Sequence, residues 1–463
     1  MAWASLTYEQ ALRALDRRGR FGVRLGLGRT RALFRELDHP ERTVRGALVA
    51  GTNGKGSVLA LADSALRAAG YRVGATPKPH LSTYRERIQV DGQPISRADF
   101  ARLVARVSVV ADRIAPRHGD PTEFELLTAV LFARFAEVRP DIALVEVGLG
   151  GRLDATHAWD GGVAVVTNID LDHMDRLGDT IPKIAREKAA IIERGDFAVT
   201  GARGEGLTVV RRRARRLSVP LREVQAAPLL GWDRDGIEVE LPRLGRTRIG
   251  LRGRHQAANV AIADATLDAL ELAGIARVDG SARRTGYATA VWPGRLELLT
   301  LDGRDVLLDG AHNPAGAAAL AIALDDLRPH LTDGPMTLIT ASMMDKDVDG
   351  VVSALARSAS MAGVTVVCTS LDLPRAMPAG ALAGRWARGL DAVTVPIGGR
   401  RARVLEEAEP IAALKRALAG PGTGPIVVAG SLYLVGAIRS HLIDDPDLRD
   451  PDPDPDPDPD EDR

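Results

Sequence analysis

The chain has 463 residues, 45% of them hydrophobic and 26% charged, the composition of an ordinary globular protein with room for about two to four domains. Basic and acidic residues balance at 61 each, but positions 444–463 hold eleven of the acids and two of the bases, so the body carries +9. That balance favours anionic ligands; nucleic acid would also suit it, but no nucleic-acid recognition motif accompanies the charge. The single cysteine, Cys368, excludes an internal disulfide. No secretion signal is legible in the first twenty residues, and no run reaches the roughly 20 apolar residues of a membrane span. A cytoplasmic protein without membrane or nucleic-acid partners is expected.

In chain order, the first informative element is an apolar strand over 47–50 that runs into Gly51-Thr52-Asn53-Gly54-Lys55-Gly56-Ser57, followed by a helical stretch over 58–69. Strand, glycine turn and helix in that order make a phosphate cradle. Backbone N–H groups and the helix N-terminus face the anion, Lys55 can reach the outer phosphates and Ser57 can ligate Mg²⁺. The ordinary P-loop pattern is broken twice, by Val49 at its first glycine position and by Gly56 between Lys55 and Ser57. A second apolar strand over 142–145 ends at Glu146, ahead of Val147-Gly148-Leu149-Gly150-Gly151. A third, over 163–166, leads to Thr167-Asn168 and then Asp170, Asp172 and His173. Continuous apolar strands between helices predict parallel sheets covered on both faces, with ligands at the carboxyl ends of the strands. Taken singly, Glu146 reads as a strand-end salt-bridge partner and His173 as a loop histidine.

A helix is predicted over 181–192, with Thr180 as its cap and Pro182 in its first turn. Positions 181, 184, 185, 188, 191 and 192 share one face, and all are apolar except Lys188. A bare ammonium there is costly unless it is paired, snorkels or is modified. Residues 226–252 alternate apolar and polar positions and predict a small antiparallel insertion before a helix starting near His255. A boundary is expected near 294–298, dividing a domain 1–294 from a smaller domain 295–443 that opens with the strand 306–308. The repeat of Pro and Asp that closes the chain makes 444–463 an expected disordered acidic tail with no buried docking face.

The loop Gly51–Ser57 resembles the ATP loop of the Mur-type amide ligases, and within them that of folylpolyglutamate synthase and its bifunctional relative dihydrofolate synthase. The run from Glu146 to Thr156, Leu171-Asp172-His173, His255-Gln256-Ala257-Ala258-Asn259, Trp292-Pro293-Gly294-Arg295 and Asp309-Gly310-Ala311-His312-Asn313-Pro314 are similar to further signatures of that family. The likeness extends over about residues 8–440. It implies an α/β fold, with an N-terminal P-loop Mur-ligase-type ATPase domain and a smaller C-terminal Rossmann-like α/β domain. It implies an ATP site of Thr52, Asn53, Gly54, Lys55, Gly56, Ser57, Asn259, Arg295, Asp309 and His312. It further implies Mg²⁺ ligation by Ser57, Glu146 and His173, and a carbamylated Lys188 serving a second Mg²⁺, with Lys55, Lys188 and His173 as the catalytic set. On the folate side it implies His80, Tyr84, Arg87, Thr122, Arg152 and Asp154. Lys78 stands where the family commonly has serine, and Asp170 and Met174 replace a common glycine and threonine.

The function this implies is an ATP-dependent ligase, a monomer, joining L-glutamate to tetrahydrofolate and to 7,8-dihydropteroate through an acyl phosphate. Two other readings are weighed against it. A ligase building cell-wall precursors on a UDP-sugar is disfavoured because the ATP loop begins already at Gly51. A P-loop regulatory NTPase leaves Lys188 and the 309–313 block without a purpose.

Overall fold

The computed structural model describes residues 5–19, 25–392, 401–420, 422–443 and 445–451. Its first half is built on an eight-stranded sheet in the order β4-β3-β2-β5-β1-β6-β7-β8. The strands are β1 (Gly46–Ala50), β2 (Val73–Thr76), β3 (Gln89–Val90), β4 (Gln93–Pro94), β5 (Ile142–Glu146), β6 (Gly162–Val166), β7 (Phe197–Thr200) and β8 (Leu221–Glu223). From β2 to β8 all pairings are parallel, while β3 and β4 form an antiparallel edge. The apolar runs explain this arrangement. Leu48, Ala50, Ala143 and Val145 belong to the core on one face, and Ala47, Val49, Ile142 and Leu144 to the core on the other. A strand buried on both faces needs apolar residues at every position, which is what the sequence supplies.

The predicted insertion is a three-stranded antiparallel sheet, β9 (Leu229–Asp233), β10 (Gly236–Leu241) and β11 (Gly245–Ile249). The second half holds a six-stranded sheet in the order β12-β13-β17-β14-β15-β16. Here β12 (Glu297–Leu301) is antiparallel to β13 (Arg304–Leu308), and β14 (Thr337–Thr340), β15 (Thr365–Cys368), β16 (Arg403–Glu406) and β17 (Ile426–Ala429) complete a parallel set. Alternate strand residues again feed two cores, Leu307, Leu338 and Val427 on one side, Val306, Ile339 and Val428 on the other. Cys368 is buried at the end of β15. Among the described residues no helix is long and apolar enough to cross a membrane.

The insertion ties the halves together. The Arg234 guanidinium forks onto the Asp305 carboxylate at 2.9 and 2.5 Å, Arg254 pairs with Asp326 at 2.5 Å, and the Trp232 indole N–H donates to the Asp326 carbonyl at 3.2 Å. Asp305 is 1% exposed, so its pair is shielded from screening salt on one side and bidentate, the geometry in which an ion pair contributes most.

One expectation fails here. Residues 445–451 are not a free tail but pack back on the first half. Asp450 accepts hydrogen bonds from the Tyr8 and Thr83 hydroxyls, at 2.5 Å each, and from the Tyr84 backbone N–H at 3.1 Å. Arg85 donates to the Asp447 carbonyl, and Arg97 to the Arg449 carbonyl at 3.0 Å. A search for an apolar docking face misses this, because the docking is polar: a carboxylate meets two hydroxyls and a backbone N–H. The rest of the expected tail, residue 444 and residues 452–463, lies outside the described residues. Each hydrogen bond to a charged acceptor contributes about 1.5–3 kcal/mol. Asp450→Ala, and truncation after residue 443, should therefore each lower the unfolding temperature by a few degrees in calorimetry. An unchanged midpoint in both would show that the segment adds nothing.

Candidate active site

The strands β1, β5 and β6 lie side by side and end at the same edge, so their following loops meet. The loop after β1 is held against the loop after β6. Thr52 N–H donates to the Asn168 carbonyl at 3.0 Å, Asn53 N–H to Asn168 Oδ1 at 2.8 Å, and the Thr167 hydroxyl to the Asn53 carbonyl at 2.7 Å. Gly54 sits at φ +81°, and a Cβ there would lie 2.4 Å from Asn259 Oδ1, so only glycine fits. The helix Lys55–Ala68 starts directly behind it, aiming its N-terminus at the space above the loop. Lys55 folds back, its Nζ 3.2 Å from both the Gly51 and Thr52 carbonyls and 3.8 Å from Glu146.

Glu146 is buried at the tip of β5, and burial raises its pKa above the ordinary carboxylate value, against the pull of Lys55. Lys188 is also buried, and its Nζ donates to the Gly51 carbonyl at 2.9 Å. Burial, with the nearby charge of Lys55, pushes its pKa down to about 7. His173 adopts a left-handed backbone, φ +49°, and its half-exposed ring lies 3.8 Å from Asp172. Burial lowers its pKa too.

The second half supplies the opposite wall. Asp309, at the end of β13, accepts from the Leu296 and Ala311 N–H groups at 2.9 Å each, and burial raises its pKa. His312 Nδ1 lies 2.8 Å from the Gly310 carbonyl, and burial lowers the ring to about 4. A neutral ring must donate through Nδ1 to that carbonyl, which leaves Nε2 as an acceptor. Asn313 caps the helix Pro314–Leu327 and reaches across to Asn53 Oδ1 and Asp172 Oδ2, at 3.4 Å each.

Between these walls lies a cavity of about 550 Å³. All ten residues expected at ATP line it, together with Glu146 and His173. Lys188 does not; it sits behind the loop, under Gly51. Of the folate-side residues only Arg87 lines the cavity. His80 and Tyr84 support it: Arg87 Nε donates to His80 Nδ1 at 2.9 Å, and the His80 and Tyr84 rings are 4.4 Å apart. Burial and the Arg87 charge drop His80 to about 3, so it accepts as a neutral ring. Thr122 caps the helix Glu123–Val138 in a reciprocal pair with Glu125, and Asp154 caps a short turn while holding the Gly148 and Leu149 N–H groups. Arg152 is exposed and paired with Glu187 at 2.9 Å. These three shape the loops; their side chains are spent on local structure. Sequence reasoning passed over Gln256, which donates to Ser57 Oγ at 3.3 Å and accepts from Asn259 at 2.8 Å. Its place three residues before Asn259, on the same helix face, was the available signal.

A hard divalent cation fits the donor set. Ser57 offers a hydroxyl and Glu146 a buried carboxylate, and Mg²⁺ is commonly held by one or two protein oxygens with phosphates and water. Among the described residues no three His, Cys, Asp or Glu side chains cluster as a self-sufficient metal site.

Residues 49–267 match the model of the Mur ligase middle domain and residues 296–441 that of the dihydrofolate synthetase C-terminal domain. A dihydrofolate synthase/folylpolyglutamate synthase of Bacillus subtilis is 34% identical, covering 94% of this chain and 99% of its own. The crystal structure of Mycobacterium tuberculosis folylpolyglutamate synthase complexed with ADP and AMPPCP superposes with a TM-score of 0.81 at 32% identity, over 94% of this chain and 100% of that one. A bifunctional folylpolyglutamate synthase/dihydrofolate synthase of Yersinia pestis, complexed with AMPPNP and Mn ion, gives 0.78 at 28% identity, over 95% and 98%. With a phosphate loop, a facing nucleotide wall and full-length relatives in agreement, the chain belongs to the dihydrofolate synthase/folylpolyglutamate synthase family of Mur-type ligases.

Proposed function

We propose that the protein is an ATP-dependent ligase that adds L-glutamate to a reduced folate and to 7,8-dihydropteroate. The observation that carries this is the single cavity in which the Gly51–Ser57 loop of one half faces Arg295, Asp309 and His312 of the other. Thr52–Ser57 cradle the phosphates, and Asn259, Arg295, Asp309 and His312 hold base, ribose and phosphates from the far side. Lys55 exchanges its two loop carbonyls for phosphate oxygens. The acceptor carboxylate attacks the γ-phosphorus, the bond to the β–γ bridging oxygen breaks, and ADP leaves. The amine of glutamate then displaces phosphate from the acyl phosphate and loses a proton. Mg²⁺ held by Ser57, Glu146 and His173 would supply positive charge to the phosphates. Closure of the two walls would exclude water from the acyl phosphate. The same reading makes it a cytoplasmic enzyme acting as a single chain on small molecules.

We read Lys188 as the carbamate of the site. Carbamylation needs a neutral amine, and a lysine whose pKa is down to about 7 offers one at physiological pH. The amine gains CO₂ and releases a proton. Because the neutral form grows as pH rises through 7, the ¹³C carbamate signal from labelled bicarbonate should increase between pH 6 and pH 8. It should vanish in Lys188→Ala, along with ligation. No signal at either pH would remove the modification.

Lys55→Ala should lose at least about 10²-fold in kcat, since it strips charge from the transferred phosphoryl group. Its melting temperature should stay near wild type, because the hydrogen bonds of Lys55 go to loop carbonyls and the raised pKa of Glu146 lets that carboxyl take up a proton when its cation is removed. Turnover close to wild type would remove the phosphate-cradle argument. The acceptor assignment is tested with each acceptor, ATP, Mg²⁺ and labelled glutamate, with products resolved by mass. Addition to folate alone would make the enzyme monofunctional; addition to neither would leave a ligase of another acceptor.

A further inference from the structure

Lys78 lines the cavity, and neither the phosphate cradle nor the nucleotide wall accounts for it. The residue as a whole is partly exposed, yet its ammonium nitrogen is buried and has no hydrogen-bond partner. It lies 4.3 Å from the centroid of the Phe124 ring, which steadies a cation without occupying its N–H groups. The carboxylates nearest in effect, Asp154 and Glu146, do not serve it. Asp154 is taken up by the Gly148, Leu149 and Thr156 N–H groups. Glu146 accepts the backbone N–H of Lys78 itself at 3.0 Å, which anchors the residue but leaves Nζ unmatched. Three buried donors with no acceptor cost far more than a satisfied set, and an anion is the partner that matches both the donors and the charge of the ammonium.

We propose that the Lys78 ammonium binds the reacting carboxylate of the acceptor and delivers it to the γ-phosphoryl group. The inference rests on the ligase reading above. Lys78 lines the cavity between its phosphate end, where Lys55 and Glu146 lie, and its Arg87–Phe124 end. A carboxylate and a γ-phosphate repel one another, and a cation between them lets the two anions approach within bonding distance. The charge stays useful after the step: one O–P bond has formed, another has broken and no proton has moved, so the acyl phosphate still carries negative oxygens beside Nζ. The same carboxylate chemistry is common to both proposed acceptors, so one lysine serves both.

The test uses the full chain and Lys78→Met, which keeps length and removes charge. Lys78→Gln carries the same expectation should the first variant misfold. For whichever acceptor the wild type uses, kcat/KM should fall at least tenfold, with the ATP dissociation constant within twofold and the melting temperature no lower than wild type. Lys78→Arg should recover part of the loss. A second readout needs no turnover: calorimetric binding of 4-aminobenzoyl-glutamate, which carries the carboxylates without the pterin, to protein loaded with AMPPCP and Mg²⁺. Wild type should bind it and Lys78→Met should bind at least tenfold more weakly. Wild-type binding that survives the substitution, or no binding by wild type at all, overturns the role of Lys78. Binding that depends on Lys78, with no glutamate added to either acceptor, would instead sink the folate reading and leave the carboxylate site standing.

Discussion

Two lysine ammoniums converge on one backbone carbonyl, that of Gly51, at 3.2 Å from Lys55 and 2.9 Å from Lys188. Lys55 also has the Thr52 carbonyl and the Glu146 carboxylate beside it, while Lys188 is driven toward neutrality by burial and by the charge of Lys55. Two changes would relieve the crowding. Under the proposed function, phosphates above the loop would draw Lys55 away, and loss of a proton from Lys188 would remove the second charge. Much of the site depends on this crowding. The loop is short and glycine-rich so that both stems can reach it, and it is pinned to Asn168 and Thr167 so that the carbonyl cannot turn aside.

The strand ends were legible in the sequence because sheet geometry leaves little choice. Ala47–Ala50, Ile142–Val145 and Val163–Val166 are apolar at every position, so each had to be an interior strand, and parallel strands deliver their loops to one edge. Lys188 was legible for the opposite reason, one charge on an apolar face. What could not be read were contacts set by three-dimensional approach: Asn313 reaching Asn53 and Asp172, Gln256 reaching Ser57, Lys78 sealed beneath Phe124. Thr122 and Asp154 mark a different limit. A motif identifies residues that matter to a site without saying whether they touch its ligand or cap the helix or turn that carries the ones that do.

Besides the contacts of Asn313 with Asn53 and Asp172, the described halves meet on two flanks of the cavity. The insertion β9–β11 grips the second half through Arg234 and Trp232, and Arg254, in the loop after it, adds its pair with Asp326. On the acceptor side, Ser440 of the last helix donates to the Ser82 hydroxyl at 2.7 Å, and a Cβ on Gly436 would strike the Leu81 carbonyl at 1.9 Å. The cavity lies between them, so both of its walls are braced.

The docked segment 445–451 extends the second brace. It leaves the last helix of the second half, returns to Tyr8 and Tyr84 of the first, and pins the loop that begins at Lys78 and carries His80 and Arg87. Arg85 and Arg97 meet it with positive charge, while Asp450 meets neutral donors. The acidic character of the chain's end therefore has a local use apart from solubility. A carboxylate is the one side chain that can accept from two hydroxyls and an N–H at once while lying among arginines. An asparagine there would give up the charge and one acceptor oxygen. The loop that presents Lys78 to the cavity would then depend more on the last helix and on the Lys78 N–H bond to Glu146.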